Sequence, residues 1–173
     1  MENLANILDK FGKGIRKQAR ANLTRQGKNV DKNLWKSINY GGKVNPNSFE
    51  FKVGMNEYGE YQDQGVKGAK STYPSSSDSP YKYTNKRPPI SPIADWAKKK
   101  NIRLRDEAGR FAKGNYKTIG FIISRNIYRK GIPASFFLTK SIDSNLKRLP
   151  PEMVEAYQLD LLKAIKRFTD IRQ

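Results

Sequence analysis

The sequence contains no cysteine and no histidine. Without thiols there are no disulfides, no thiolate nucleophiles and few ways to hold zinc. Without imidazole the chain lacks the group best suited to proton exchange near neutral pH, and also the commonest metal ligand. Neither a serine–histidine nor a cysteine–histidine nucleophile pair can be assembled. The 16 acidic residues are scattered rather than gathered beside a glycine-rich loop. No enzyme, no cofactor and no metal site is therefore expected. Long apolar runs are missing too, and nothing approaches the roughly 18 consecutive apolar residues of a membrane-crossing helix. The opening Met1-Glu2-Asn3-Leu4 lacks the basic-then-apolar pattern of a secretory signal. No membrane partner is expected.

Positive charge, by contrast, is abundant. The chain has 34 Lys plus Arg against 16 Asp plus Glu, a net charge of +18. Such an excess favours a polyanionic neighbour, whether nucleic acid, an acidic protein surface or an anionic membrane. The cations are spread along the chain rather than packed into one tail, so a solvated basic surface without a dedicated ligand is an equal reading. The densest run is Lys98-Lys99-Lys100 with Arg103 and Arg105. It is available for phosphate contacts, which carry no sequence information, or for an acidic protein neighbour.

At 173 residues, 36% hydrophobic and 29% charged, the chain suits one domain with a real core. Leu4, Ile7, Leu8, Phe11, Ile15, Ala19 and Leu23 recur at helical spacing and predict an amphipathic N-terminal helix over 1–27, closed by Gly27. Region 33–64 reads as a β-hairpin and a turn. Leu34, Trp35 and Ile38 lead into Tyr40–Val44, Asn45-Pro46-Asn47 supplies turn residues, and Phe49, Phe51, Val53 and Met55 alternate onto one strand face. Tyr58 and Tyr61, three apart in a short helical turn ending at Gly65, are expected to face inward together.

Region 65–91, rich in Ser, Pro, Gly, Lys and Tyr, reads as a long exposed loop or arm. The remainder, 92–173, is mainly helical. Ser91-Pro92 starts a helix carrying Ile93, Trp96 and Ala97, and residues 103–111 form a loop or small hairpin. A helix spans Tyr116–Lys130 with Ile119, Ile122, Ile123 and Ile127 on one side and Gly131 at its end. Another begins near Thr139 and stops at Pro150-Pro151. The last, from Glu152, carries Val154, Tyr157, Leu161, Ile165 and Phe168 in a stripe. The expected fold is α+β: a small antiparallel sheet packed against an N-terminal helix and C-terminal helices, with a long exposed loop, in one domain over 1–173.

Three stretches together carry a resemblance. They are Asn33-Leu34-Trp35-Lys36-Ser37-Ile38 ahead of the sheet, the Tyr58–Gly65 turn, and Gly131-Ile132-Pro133-Ala134-Ser135-Phe136-Phe137-Leu138. In order and spacing, over roughly 33–142, they resemble the tail-component family of HK-type long-tailed phages and its neck and tail-completion relatives. The stretch after Gly65 is longer than the usual family form, and the C-terminal helix extends further.

The resemblance implies a structural virion protein, a neck, tail-completion or head–tail connector subunit that acts by assembly. Its partners would be copies of itself in a homo-oligomeric ring and neighbouring portal, connector or tail proteins, with packaged DNA reachable through phosphate contacts. Its location would be the neck or tail region of the virion, and the host cytoplasm during assembly. Residues expected at subunit or inter-ring interfaces are Tyr73, Tyr81 and Tyr83 in the arm, whose rings bury area while keeping a hydrogen bond. Phe136 and Phe137 join them, although anchoring the C-terminal helix is the stronger role for that pair. Two alternatives stand beside this reading: a basic nucleic-acid-binding protein, with bases stacked on Tyr and Phe between phosphate contacts, and another minor capsid or tail subunit.

Overall fold

A computed structural model describes residues 2–45 and 48–170, without the side chains of 163–170. The architecture is α+β, with seven α-helices among the described residues and two small two-stranded antiparallel sheets. The chain falls into two compact units, residues 1–56 with 137–173, and residues 57–136.

The first unit is organised by α1 (Glu2–Arg25). Its stripe of Leu4, Leu8, Ile15, Ala19 and Leu23 is buried, and the lower part joins Leu34, Ile38, Phe137 and Leu138 in one cluster. The helix closes as the glycine predicts. The Lys28 N–H donates to the Leu23 carbonyl and the Gly27 N–H to the Thr24 carbonyl, both at 3.0 Å, which satisfies two carbonyls that the helix itself leaves open. A short helix, α2 (Asn33–Ser37), then leads into β1 (Asn39–Asn45) and β2 (Ser48–Gly54), paired from Asn45↔Ser48 to Asn39↔Gly54. The expected turn residues Pro46 and Asn47 lie outside the described residues. Phe51, Val53 and Met55 pack on the core. Phe49, expected to share their burial, is 47% exposed. Alternation puts it on their face, but its place beside the turn carries it past the buried cluster.

Phe137 and Leu138 precede α6 (Thr139–Leu146) and α7 (Leu149–Asp170). Pro150-Pro151 does not terminate a helix as expected; it opens α7. In a first turn the missing N–H groups would have no intrahelical acceptor, so proline sacrifices nothing there. Helix α7 buries Leu149, Ala156 and Asp160. The stripe read from the sequence lies elsewhere on the helix: Val154, Tyr157 and Leu161 are 59%, 50% and 51% exposed. The side chains of Ile165 and Phe168 lie outside the described residues.

Two polar ties hold the helices of this unit together. The Asn22 amide, buried on α1, donates to the Phe137 carbonyl and to Ser141 Oγ, each at 3.1 Å. Asp160 of α7 accepts the backbone N–H groups of Asn3 (3.2 Å) and Leu4 (3.1 Å), and so caps the start of α1 from another helix. Helix starts present unsatisfied donors and a positive dipole end, so a carboxylate placed there is doubly suited.

In the second unit, α3 (Tyr58–Gln64) precedes β3 (Val66–Lys67) and a 3-10 turn (Pro74–Ser76). Helices α4 (Ile90–Lys99) and α5 (Tyr116–Lys130) pack together through small residues, Ala94 and Ala97 on one side, Gly120 and Ser124 on the other. Ser124 Oγ also donates to the Pro88 carbonyl at 2.6 Å. Helix α4 starts one residue ahead of the expected Ser91, and Trp96 stands 41% exposed because the two alanines take the packing face. Helix α5 has the expected bounds, with the Asn115 side chain accepting from the Thr118 N–H at 2.8 Å. Of its expected apolar side, Ile119 is buried but Ile122 is 41% exposed. The 103–111 stretch closes as a small hairpin through an antiparallel Arg105↔Phe111 bridge. Strand β4 (Gly131–Ile132) pairs antiparallel with β3.

The Asp160 cap gives a test of how the first unit is held. Burial pushes its carboxyl up, but the Leu4 and Asn3 N–H groups outweigh this and hold it below its ordinary value of 3.8. A carboxyl depressed in the folded state stabilises fully above its unfolded pKa, and that contribution is lost as pH falls through the lower folded value. The wild type should therefore lose stability on acidification from about pH 5 downward more steeply than Asp160→Asn. Urea midpoints measured across that range check this; parallel curves would remove the charged cap from the account.

Candidate functional site, a tyrosine-walled groove

Four tyrosines of the second unit wall an open groove of about 660 Å³: Tyr58, Tyr61, Tyr81 and Tyr83, with Val66 and Ile132 among the apolar lining. The local structure explains the gathering. On α3, Tyr58 and Tyr61 are three residues apart and so lie on one face. Across from them, the extended 81–83 segment alternates its side chains. It is fixed by two backbone bonds around Lys67, whose N–H donates to the Tyr81 carbonyl (2.8 Å) while the Tyr83 N–H donates to the Lys67 carbonyl (2.9 Å).

Gly65 ends α3 at φ 74, and Gly131 ends α5 at φ 84. These backbones disfavour side chains. A Cβ at Gly65 would also strike the Ser76 side chain and the Ala134 backbone, and one at Gly131 the Val66 carbonyl. Two buried serines then pin the 65–91 stretch. Ser76 Oγ donates to the Ile132 carbonyl at 2.7 Å and accepts the Ala134 N–H at 2.9 Å. Ser79 Oγ donates to the Gly65 carbonyl at 2.7 Å and accepts the Tyr81 N–H at 3.2 Å.

The walls are set edge to face. Tyr61 and Tyr81 approach with centroids 4.5 Å apart and planes at 66°, the arrangement favoured by ring quadrupoles. The Tyr81 hydroxyl donates to Glu60 Oε2 at 2.6 Å, and this bond, with burial, raises its pKa. Burial raises that of Tyr83, which also packs near Tyr128 at 6.3 Å. Tyr58 and Tyr61 do not turn inward as expected: at 48% and 43% exposure they are the open side of the groove. Such a surface can cover an apolar partner while its hydroxyls stay hydrated.

Of the expected interface residues, the structure brings Tyr81 and Tyr83 together in this groove. Tyr73 lies outside its lining, 39% exposed ahead of the 3-10 turn. Phe136 is half-buried at φ 50, a left-handed backbone that strains a bulky residue. Phe137 has no exposed surface and belongs to the core of the first unit, so it offers nothing to a neighbour. The expected basic patch is not one uniform array. Lys98 and Lys99 occupy the last turn of α4, where they complement its dipole. Arg103 and Arg105 sit 5.5 and 4.5 Å from the Phe111 ring, and Arg105 Nη1 donates to the Gly109 carbonyl at 2.7 Å, so both brace the hairpin.

Sequence reading gave two further surfaces no role as sites. Tyr58 and Tyr61 are expected in the interior, and the basic residues Lys13, Arg16, Lys17 and Arg20 of α1, at three- and four-residue spacing, occupy the side of the helix opposite its apolar stripe. Comparison with known protein families, with characterised proteins and with solved structures returns no match to this chain.

Ser76 is the natural point at which to test the groove's foundation. Ser76→Ala removes the hydroxyl from two backbone partners in a site with 0% exposure, and should destabilise by about 1–3 kcal/mol. Urea unfolding followed by tyrosine fluorescence measures this, and a change within about 0.5 kcal/mol, as for a neutral surface substitution, would show that other bonds hold the floor.

Proposed function

We propose that the chain is a non-catalytic structural subunit of a tailed-phage neck, a tail-completion or head–tail connector component that works by assembling with copies of itself and with neighbouring virion proteins. The observation that carries the assembly part is α7. Val154, Tyr157, Leu159, Leu161 and Leu162 are all between 47% and 59% exposed on one helix, while its other face is already committed to α1 through Asp160 and to the core of its unit. A concentration of large apolar side chains of this kind marks a surface that a partner covers.

Charge indicates a second copy as that partner. Residues 149–162 contain Glu152, Glu155 and Asp160 and no Lys or Arg, in a chain of net charge +18. The basic surface of another copy is complementary to it, and a contact between unlike patches is the kind that closes into rings. The virion location rests on the three motif stretches, whose glycines Gly65 and Gly131 stand at the ends of α3 and α5 and whose phenylalanines lie where the chain leaves the second unit for the first.

Purified protein should therefore form a concentration-dependent closed oligomer, with its mass read by analytical ultracentrifugation. The Val154→Glu/Leu161→Glu double variant changes only exposed positions. It should remain folded by circular dichroism and sediment as a monomer. A wild type that stays monomeric at every concentration overturns the assembly reading.

A further inference from the structure

A concentration of positive charge lies along α1, on residues that none of the expected interface positions includes. Lys13, Arg16, Lys17, Arg20 and Arg25 line an open groove of about 760 Å³ whose remaining wall includes Trp35, and no acidic side chain lines it. The nearest compensation is Asp9 at one end, which pairs with Lys13 at 2.7 Å and accepts from the Tyr40 hydroxyl at 2.8 Å. Exposed pairs of this kind contribute little and leave the cation available.

Two of the arginines are held in place before any ligand arrives. The Arg20 guanidinium lies 4.1 Å from the Trp35 ring centroid, and its Nε and Nη2 donate to the Trp35 and Ile38 carbonyls at 2.9 and 3.3 Å. Arg16 sits 5.1 Å from the Tyr40 ring. Burial, and then the repulsion of Arg16, push Arg20 below its ordinary value. A bound anion would relieve that repulsion. Ordering long cationic side chains on aromatic faces in the free protein lowers the entropy lost on binding.

We propose that this face of α1 is a binding track for the phosphate backbone of a nucleic acid. Its length fits: from residue 13 to residue 25 the helix rises about 18 Å, long enough to meet several successive phosphates of one strand. The polymer's charge density sets it apart from other polyanions. An acidic protein surface seldom offers a continuous line of charge. A membrane-bound amphipathic helix needs its apolar side free to insert, and α1 has that side buried in its unit as Leu8, Ile15, Ala19 and Leu23. Lysine and arginine contacts to phosphate read no base, so the binding expected is sequence-independent. The track is independent of the assembly reading, because none of its residues belongs to α7 or to the tyrosine groove.

The test is anisotropy titration of the full chain against a labelled 20-base-pair duplex and a 20-nucleotide single strand over a salt series. Lys13→Glu/Lys17→Glu/Arg25→Glu should weaken binding at least tenfold and flatten the log–log salt slope by about 3 on the duplex and about 2 on the single strand, the loss of about three phosphate contacts. Lys98→Glu/Lys99→Glu/Lys100→Glu makes the same change in net charge and should leave affinity within about threefold of wild type. Folding is checked by circular dichroism, and the milder Lys13→Gln/Lys17→Gln/Arg25→Gln should show the same trend if the reversal unfolds the protein. Equal losses in the α1 and α4 variants would assign binding to net charge and overturn the proposal. Binding to phosphatidylserine vesicles through these three residues, with none to either nucleic acid, would overturn it in favour of a membrane.

Discussion

The first unit depends on burying one stripe of one helix. Ile15, Ala19 and Leu23 are at most 1% exposed, and each large aliphatic side chain so buried contributes about 1.5–3 kcal/mol. Everything else in the unit is arranged to reach that stripe. Leu34 and Ile38 approach from α2 and the strand that follows, Phe51 and Val53 from β2, Phe137 and Leu138 from the return of the chain after residue 136. Hydrophobic burial has no direction, so polar groups supply the register. The Asn22 amide can reach the Phe137 carbonyl and Ser141 Oγ only when α1 and the start of α6 are correctly aligned along their length, and a missed bond there would strand a buried polar group.

Fixing one side of α1 determines what its other side can do. An amphipathic helix with its apolar face committed must present the remainder to water, and here the charge on that remainder is mostly basic: Lys10, Lys13, Arg16, Lys17, Arg20 and Arg25 against Glu2 and Asp9. The same logic applied to α7 has a different outcome. Its small and acidic positions, Ala156 and Asp160, go inward, which leaves the large apolar residues outside. A helix with two apolar stripes is incompletely covered by its own unit. The tyrosine groove arises by a third route, from backbone conformation. Glycines at φ 74 and φ 84 and two buried serines fold the irregular 65–91 stretch against β4 and set Tyr81 and Tyr83 opposite α3.

The α+β composition, the N-terminal helix, the hairpin and the bounds of α5 were legible in the sequence, because each rests on a local signal: a helical repeat, a strand alternation, a cap. Partner choice was not legible. Val154, Tyr157 and Leu161 form a true stripe, yet nothing local says that Leu149 and Ala156 would compete successfully for the core. Trp96 lost its expected place to Ala94 and Ala97 for a related reason, since close approach of α4 to α5 requires small residues and excludes a large one. Pro150-Pro151 misled because proline marks both the end of one helix and the first turn of the next. The groove was half legible: Tyr81 and Tyr83 were singled out as interface residues, but their partners on α3 were assigned to the interior. Serine hydroxyls bonding to backbone carbonyls fifty or more residues away, as Ser76 does with Ile132, leave no periodic trace.

Charge connects these surfaces. Copies of a chain with net charge +18 repel one another, and at physiological ionic strength that repulsion is screened only beyond about 8 Å. Close contact between copies is therefore least opposed where the local charge is reversed. Six of the 16 acidic residues fall in two short segments free of Lys and Arg: Glu57, Glu60 and Asp63 in 57–64, and Glu152, Glu155 and Asp160 in 149–162. These segments carry the open wall of the tyrosine groove and the exposed face of α7. Asp63 and Asp160 are buried, but the four glutamates are exposed beside the aromatic and apolar side chains. Apolar area and negative charge thus coincide at both surfaces, so a basic neighbour docking at either would be attracted and would bury apolar area in the same contact. The α1 track is different in character: five cations line it, with Ala21 and the half-buried Trp35 as its apolar lining. A polyanion bound along it, as proposed, would lower the repulsion between copies of the chain.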